Sequence, residues 1–199
     1  MPSKVPLKWS LIVLGVAGVA FSLAIISFLN NSYAKLALFA SNQIPQDLKR
    51  ASQGLPIRLR IPKIGVDAAF EYVGLTPDGA VGVPSGPASV AWFNLGPRPG
   101  EKGSAVIDGH YGWKNGIPAA FDNLYKLQKG DELYIEDEKG AVTTFVVREL
   151  RTYGENEDAS GVFGSSDGKA HLNLITCEGV WSAAKKSYSD RLVVFTDKE

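Results

Sequence analysis

The sequence predicts an all-β domain, either a closed barrel or a two-sheet sandwich, preceded by one membrane-spanning helix. Three observations lead there. Roughly eight short runs of strand-forming residues, bounded by proline and glycine, follow residue 54. A single stretch in that region has helical spacing. The chain also opens with a long apolar run that carries no charge. Strand pattern alone leaves barrel and sandwich as equal alternatives.

The apolar run comes first. No charged residue lies between Trp9 and Tyr33. About 20 apolar residues at 1.5 Å rise cross a bilayer core of about 30 Å, so residues 9–30 read as a transmembrane helix. Lys4 and Lys8 precede it and no acid accompanies them, which by the positive-inside rule puts residues 1–8 in the cytoplasm and the rest outside. Ser32-Tyr33-Ala34 resembles a small-x-small cleavage site, but the run exceeds the usual 7–15 residues of a signal-peptide core, which favours an anchor. Residues 31–54, interrupted by Pro45, form a stalk, and 55–199 form the globular domain. The chain has 21 basic and 21 acidic residues, so no basic surface points to nucleic acid.

Within the domain, Ile57, Leu59 and Ile61 alternate with Arg58 and Arg60 as in a half-buried strand stopped by Pro62. Residues 69–75 form a second strand, ended by the turn Thr76-Pro77-Asp78-Gly79. Short strands follow at 81–83 and 89–93. Gly96-Pro97-Arg98-Pro99-Gly100 is too poor in donors for a strand interior and reads as a surface loop. Residues 103–110 form a small-residue strand that delivers His110. Phe121, Leu124 and Leu127, three apart, predict a short helix over 119–127. Residues 131–136 and 141–153 form a hairpin around Glu138-Lys139-Gly140. After a loop rich in Gly, Ser and acid, strands at 170–177 and 192–196 complete the set.

The run before the last, His171-Leu172-Asn173-Leu174-Ile175-Thr176-Cys177-Glu178-Gly179, holds the only cysteine, with Gly179 closing the strand. One cysteine excludes an intramolecular disulfide, and a thiolate zinc cage needs more ligands. Cys177 is therefore a packed spectator or a nucleophile. A nucleophile needs a base or cation nearby and an oxyanion donor. His171 lies six residues away on the same strand, about 20 Å at 3.3 Å per residue, and cannot serve. His110 ends another strand between glycines and aromatics. Arg191 opens the last strand.

The pattern formed by these residues resembles the sortases, membrane-anchored cysteine transpeptidases of mainly Gram-positive bacteria. Asn173-Leu174-Ile175-Thr176-Cys177 is similar to the family's cysteine strand, Ala105-Val106-Ile107-Asp108-Gly109-His110 to its histidine strand, and Ser189-Asp190-Arg191-Leu192-Val193-Val194 to its arginine strand, in the family's order. Ile61-Pro62-x-Ile64-Gly65-Val66, Val83-Pro84 and Gly96-Pro97-x-Pro99-Gly100 resemble its framework. The resemblance spans residues 57–196.

It implies a closed eight-stranded barrel with one or two short helices and no cofactor. Catalysis would rest on Cys177, His110 and Arg191, with Thr176 orienting the peptide or simply packing. Cys177 would attack a Leu-Pro-x-Thr-Gly-like motif near the C-terminus of a secreted protein, and the resulting thioester would pass to an amine on a cell-wall precursor or a pilin lysine. A thiol endopeptidase using water, or a non-catalytic peptide-binding module, are the alternatives. The short arm and Pro-Gly loop resemble the smaller classes, D, E or F. Asp108 departs from the small or apolar residue many relatives carry. Glu155, Glu157 and Asp158 fall in the loop where some sortases bind calcium; their pattern is read here as a solvated loop, with no metal site.

Overall fold

The computed structural model describes residues 53–199. The predicted transmembrane helix and most of the stalk lie outside the described residues, among which no helix is long and apolar enough to cross a membrane. Eight strands follow one another: β1 (Pro56–Ile61), β2 (Val66–Val73), β3 (Val90–Phe93), β4 (Gly103–Gly109), β5 (Glu132–Asp137), β6 (Val142–Gly154), β7 (Ala170–Ser182) and β8 (Ser187–Lys198). They close into a barrel in the order β1-β2-β3-β4-β7-β8-β6-β5. Closure decides the alternative that strand pattern left open. Two neighbouring pairs, β2/β3 and β4/β7, are parallel. Parallel neighbours need long crossovers, and the second crossover carries all of β5 and β6.

Inward-pointing residues alternate along each strand and fill the barrel. Leu59, Ile107, Leu133, Phe145, Leu172, Leu174 and Val194 are fully buried, each contributing roughly 1.5–3 kcal/mol of transfer free energy. That core replaces any need for covalent staples.

Four details depart from the sequence expectations. Ile57 is 42% exposed, because a register shift between Pro56 and Arg58 turns it away from the core. Residues 81–83 form no strand; Val81 makes one isolated bridge to Leu75. The helix over 119–127 is a succession of i to i+3 turns, with Leu124 N–H donating to Phe121 and Leu127 N–H to Leu124. Phe121, Leu124 and Leu127 are buried as expected, but a spacing of three is the 3₁₀ period, not 3.6. Among the described residues there is no α-helix, only four 3₁₀ turns. Finally, neither Gly179 nor Arg191 marks a strand end. Gly179, at φ +85°, forms a bulge beyond which Trp181 pairs with Tyr188 and Ser182 with Ser187.

Candidate active site

The barrel's parallel pair β4/β7 organises the site. Its register runs from Gly103 opposite Ala170 to Asp108 opposite Ile175. Two residues further along the same two chains lie His110 and Cys177. Thr176 bridges the gap: its hydroxyl donates to the Gly109 carbonyl at 2.7 Å. Thr176 is 1% exposed and points into the barrel. Its hydroxyl thus ties the two strands together, and the residue also lines the hollow beside Cys177.

On the other side of β7, Cys177 stands directly opposite Arg191 of β8, and Arg191 stands opposite Tyr153 of β6. Cys177 is half-buried and lines a hollow of about 220 Å³ with Tyr111, Phe121 and Tyr125. Burial pushes its thiol above the ordinary cysteine range; the Arg191 charge pulls it down and Asp108 pushes it further up. The resting site therefore favours the thiol over the thiolate. The Arg191 guanidinium donates to the carbonyls of Asp190 (2.9 Å) and Tyr188 (3.1 Å) and to the Ser187 hydroxyl (3.1 Å).

His110 is positioned by backbone contacts on both sides. The Phe121 N–H donates to its carbonyl at 3.1 Å. The preceding residue must be glycine, since a Cβ at Gly109 would overlap the fully buried Phe121 ring. The imidazole lies 4.7 Å from the Trp113 ring, centroid to centroid. Its Nε2 is 2.8 Å from the Pro84 carbonyl. A carbonyl can only accept, so Nε2 carries the hydrogen and Nδ1 is the nitrogen left to exchange a proton. No hydrogen bond joins His110 to Cys177 in the structure.

The segment that follows Pro84 is held in turn by Glu71 of β2, a residue the sequence reading missed. Its carboxylate accepts from the Ser85 N–H (2.9 Å), the Ser85 hydroxyl (3.0 Å) and the Ser89 hydroxyl. Those bonds, the Ser89 hydroxyl first, hold Glu71 below the usual carboxylate range. A lone Glu followed by two serines 14 and 18 residues on has no sequence signature.

Arg191 also lines a groove of about 550 Å³ whose floor includes Asp108, Tyr153, Ile175 and Val193. The segment around Val81 and Val83 forms one wall and the loop after β6 the other. That loop is fastened at Val162, whose carbonyl accepts from Asn173 Nδ2 at 2.6 Å, and at Phe163, edge-on to Phe93. Its acids are engaged with protein groups: Glu155 pairs with Lys185, Glu157 with Arg151, and Asp158 accepts from the Ser160 N–H. His171 is far from the thiol. It is 5% exposed, with Nδ1 on Asp197 at 2.7 Å and Nε2 on Asp167 at 3.0 Å.

The arrangement places a thiol on β7, a guanidinium opposite it on β8 and an imidazole just beyond the end of β4, with the guanidinium lining a groove of about 550 Å³. A family model described as Sortase domain matches residues 59–199. Among solved structures, sortase C-1 from Actinomyces oris is similar at a TM-score of 0.57 and 24% identity, over 72% of this chain and 74% of that one. A lid mutant of sortase A from Corynebacterium diphtheriae gives 0.56 and 21%, over 73% and 70%. Sortase C1 from Streptococcus agalactiae gives 0.57 and 20%, over 74% and 68%. At these identities the structural likenesses speak for the fold. No curated protein matches the chain.

Proposed function

The chain belongs to the sortase family, and from that premise we propose that it is a membrane-anchored cysteine transpeptidase with Cys177 as nucleophile, His110 as acid and base, and Arg191 as oxyanion donor. The observation that carries this reading is the direct pairing of Cys177 with Arg191 across β7 and β8, with His110 emerging two residues beyond the β4/β7 register.

The substrate is a secreted protein with a Leu-Pro-x-Thr-Gly-like motif near its C-terminus, laid in the groove over Ile175 and Val193. His110 Nδ1 takes the thiol proton, and the sulfur attacks the scissile carbonyl carbon. The arginine fork turns from the Tyr188 and Asp190 carbonyls to the oxyanion, an exchange of acceptors at little cost in hydrogen bonds. When the C–N bond breaks, the imidazolium returns the proton to the leaving amine. A second amine, on a cell-wall precursor or a pilin lysine, then attacks the thioester carbonyl, and the thiol is released. Residues 9–30 anchor the enzyme, with its barrel on the outer face of the membrane.

The test uses the full-length chain, a fluorogenic peptide of the sorting type, and a small amine such as hydroxylamine. Cleavage that requires Cys177, with the amine captured in the product, is the expected result. Cleavage with no amine incorporation at saturating amine would make the protein a thiol endopeptidase. Failure to cleave or to acylate Cys177 with any peptide would leave a binding module.

A further inference from the structure

The groove holds one charged group whose hydrogen-bonding capacity is unspent. Asp108 sits on β4 between Ala91 of β3 and Ile175 of β7, half-buried and lining the 550 Å³ groove. Glu155, Glu157 and Arg191, the other charged groups of that lining, each have partners within the protein. The Asp108 carboxyl accepts no hydrogen bond from any described residue. The Arg191 charge acts on it, but that guanidinium donates to two backbone carbonyls and Ser187, and a carboxyl without a donor is costly unless one arrives with something else.

We propose that Asp108 is a specificity residue of the groove, selecting a basic side chain, lysine or arginine, two to three residues from the scissile carbonyl of the bound peptide. The position follows from strand geometry. Asp108 lies one strand over from Cys177 and two residues back along it, about 8 Å from neighbouring strands ~4.8 Å apart and ~3.3 Å per residue. An extended peptide covers that distance in two to three residues. A guanidinium would meet the carboxylate with two parallel bonds, and an ammonium with one.

The same contact would aid the chemistry. The Asp108 charge holds the Cys177 thiol up, so a substrate cation that neutralises it makes the thiolate easier to form. A peptide of the right sequence would thereby favour its own attack.

This inference rests on the peptide-processing reading above, and its test separates the two. The full-length chain is given a Leu-Pro-x-Thr-Gly-type peptide set in which each position in turn is Lys, Arg, Gln, Ala or Glu, and kcat/KM is measured for each. Wild type should prefer Lys or Arg over Glu at one position, two to three residues from the scissile bond, by about tenfold or more. Asp108→Asn, which keeps shape and loses charge, should reduce that ratio to about twofold or less, and Asp108→Lys should reverse it. Turnover without a charge preference in wild type would overturn the inference alone. So would an Asn variant that slows every peptide by one factor and keeps the ratio, because that is a structural role. Absence of turnover with every peptide would overturn the enzymatic reading and this one with it.

Discussion

The two histidines stand at opposite ends of one parallel strand pair, and their surroundings differ in kind. At the β7 start, His171 is buried with a carboxylate on each ring nitrogen. Asp167, its partner in the loop, is held well below the usual carboxylate range, chiefly by that bond. At the other end, His110 is half-buried, has one nitrogen on a neutral carbonyl, and rests against Trp113. A ring tied at both nitrogens to fixed acids joins loop to sheet and has no nitrogen to spare for a substrate. A ring tied at one nitrogen to a group that cannot take its proton is oriented and still reactive at the other. The structure uses the same residue as a rivet at one end and leaves it reactive at the other.

The comparison is sharpest in turnover. His110→Ala should nearly abolish processing of the sorting peptide, whereas His171→Ala should stay within a few-fold of wild type, since strand geometry puts it ~20 Å from the thiol. Steady-state kinetics of both variants decide it, and comparable losses would break the contrast. Arg191→Lys comes next. It keeps the charge but replaces a planar fork by a point donor, so kcat should fall by at least about tenfold; near-wild-type kinetics would reduce Arg191 to a general positive charge. In stability the order reverses. His171→Ala should lower the unfolding free energy by about 1.5–3 kcal/mol, the scale of hydrogen bonds to charged groups, and urea unfolding would show it.

The smallest effect concerns Asp108. Burial, opposed by Arg191, pushes its pKa from 3.8 up to about 7. The native state therefore keeps a proton that the unfolded chain releases, and this carboxyl's contribution to stability falls as pH rises through that window, then levels off. Around it stand Arg191 and Cys177 on β8 and β7, Tyr153 on β6, and Glu155 and Glu157 in the loop. Asp108→Asn should be more stable than wild type at pH 8 by about 1–2 kcal/mol, allowing for solvent screening of a half-buried group, and equal to it near pH 4. Comparing variant with wild type cancels the opposite drift from Glu71 and Asp137, whose pKa values are lowered. Equal stability at both pH values would count against a costly buried charge.

Much of the barrel could be read from alternation, because a strand with one face inward repeats every two residues. Leu59 and Ile61 were legible in this way. Ile57 was not, since a bulge leaves no mark in an apolar-polar pattern. Nor was the continuation of β7 past Gly179, which depends on Trp181 meeting Tyr188 at 5.2 Å across the hairpin. Of the candidate site, His110 and Cys177 stood out as rare residue types, and Arg191 by its place after them in a recognisable order. Glu71 and the Asp167-His171-Asp197 bridge did not, since each joins segments whose meeting is set by the closed barrel and not by local spacing.

That closure also orders assembly in time. Thr176 and Gly109, whose bond joins the two halves of the site, are 67 residues apart in the chain, and everything in β5 and β6 lies between them. Hairpins such as β5/β6 and β7/β8 join neighbours in sequence and close at low entropic cost, while the β4/β7 pair must bring together distant segments. The thiol and the imidazole therefore meet only once the long crossover is complete. A chain in which only β7 and β8 have paired carries Cys177 beside Arg191 without His110, so the three side chains come together only once β4 has joined β7.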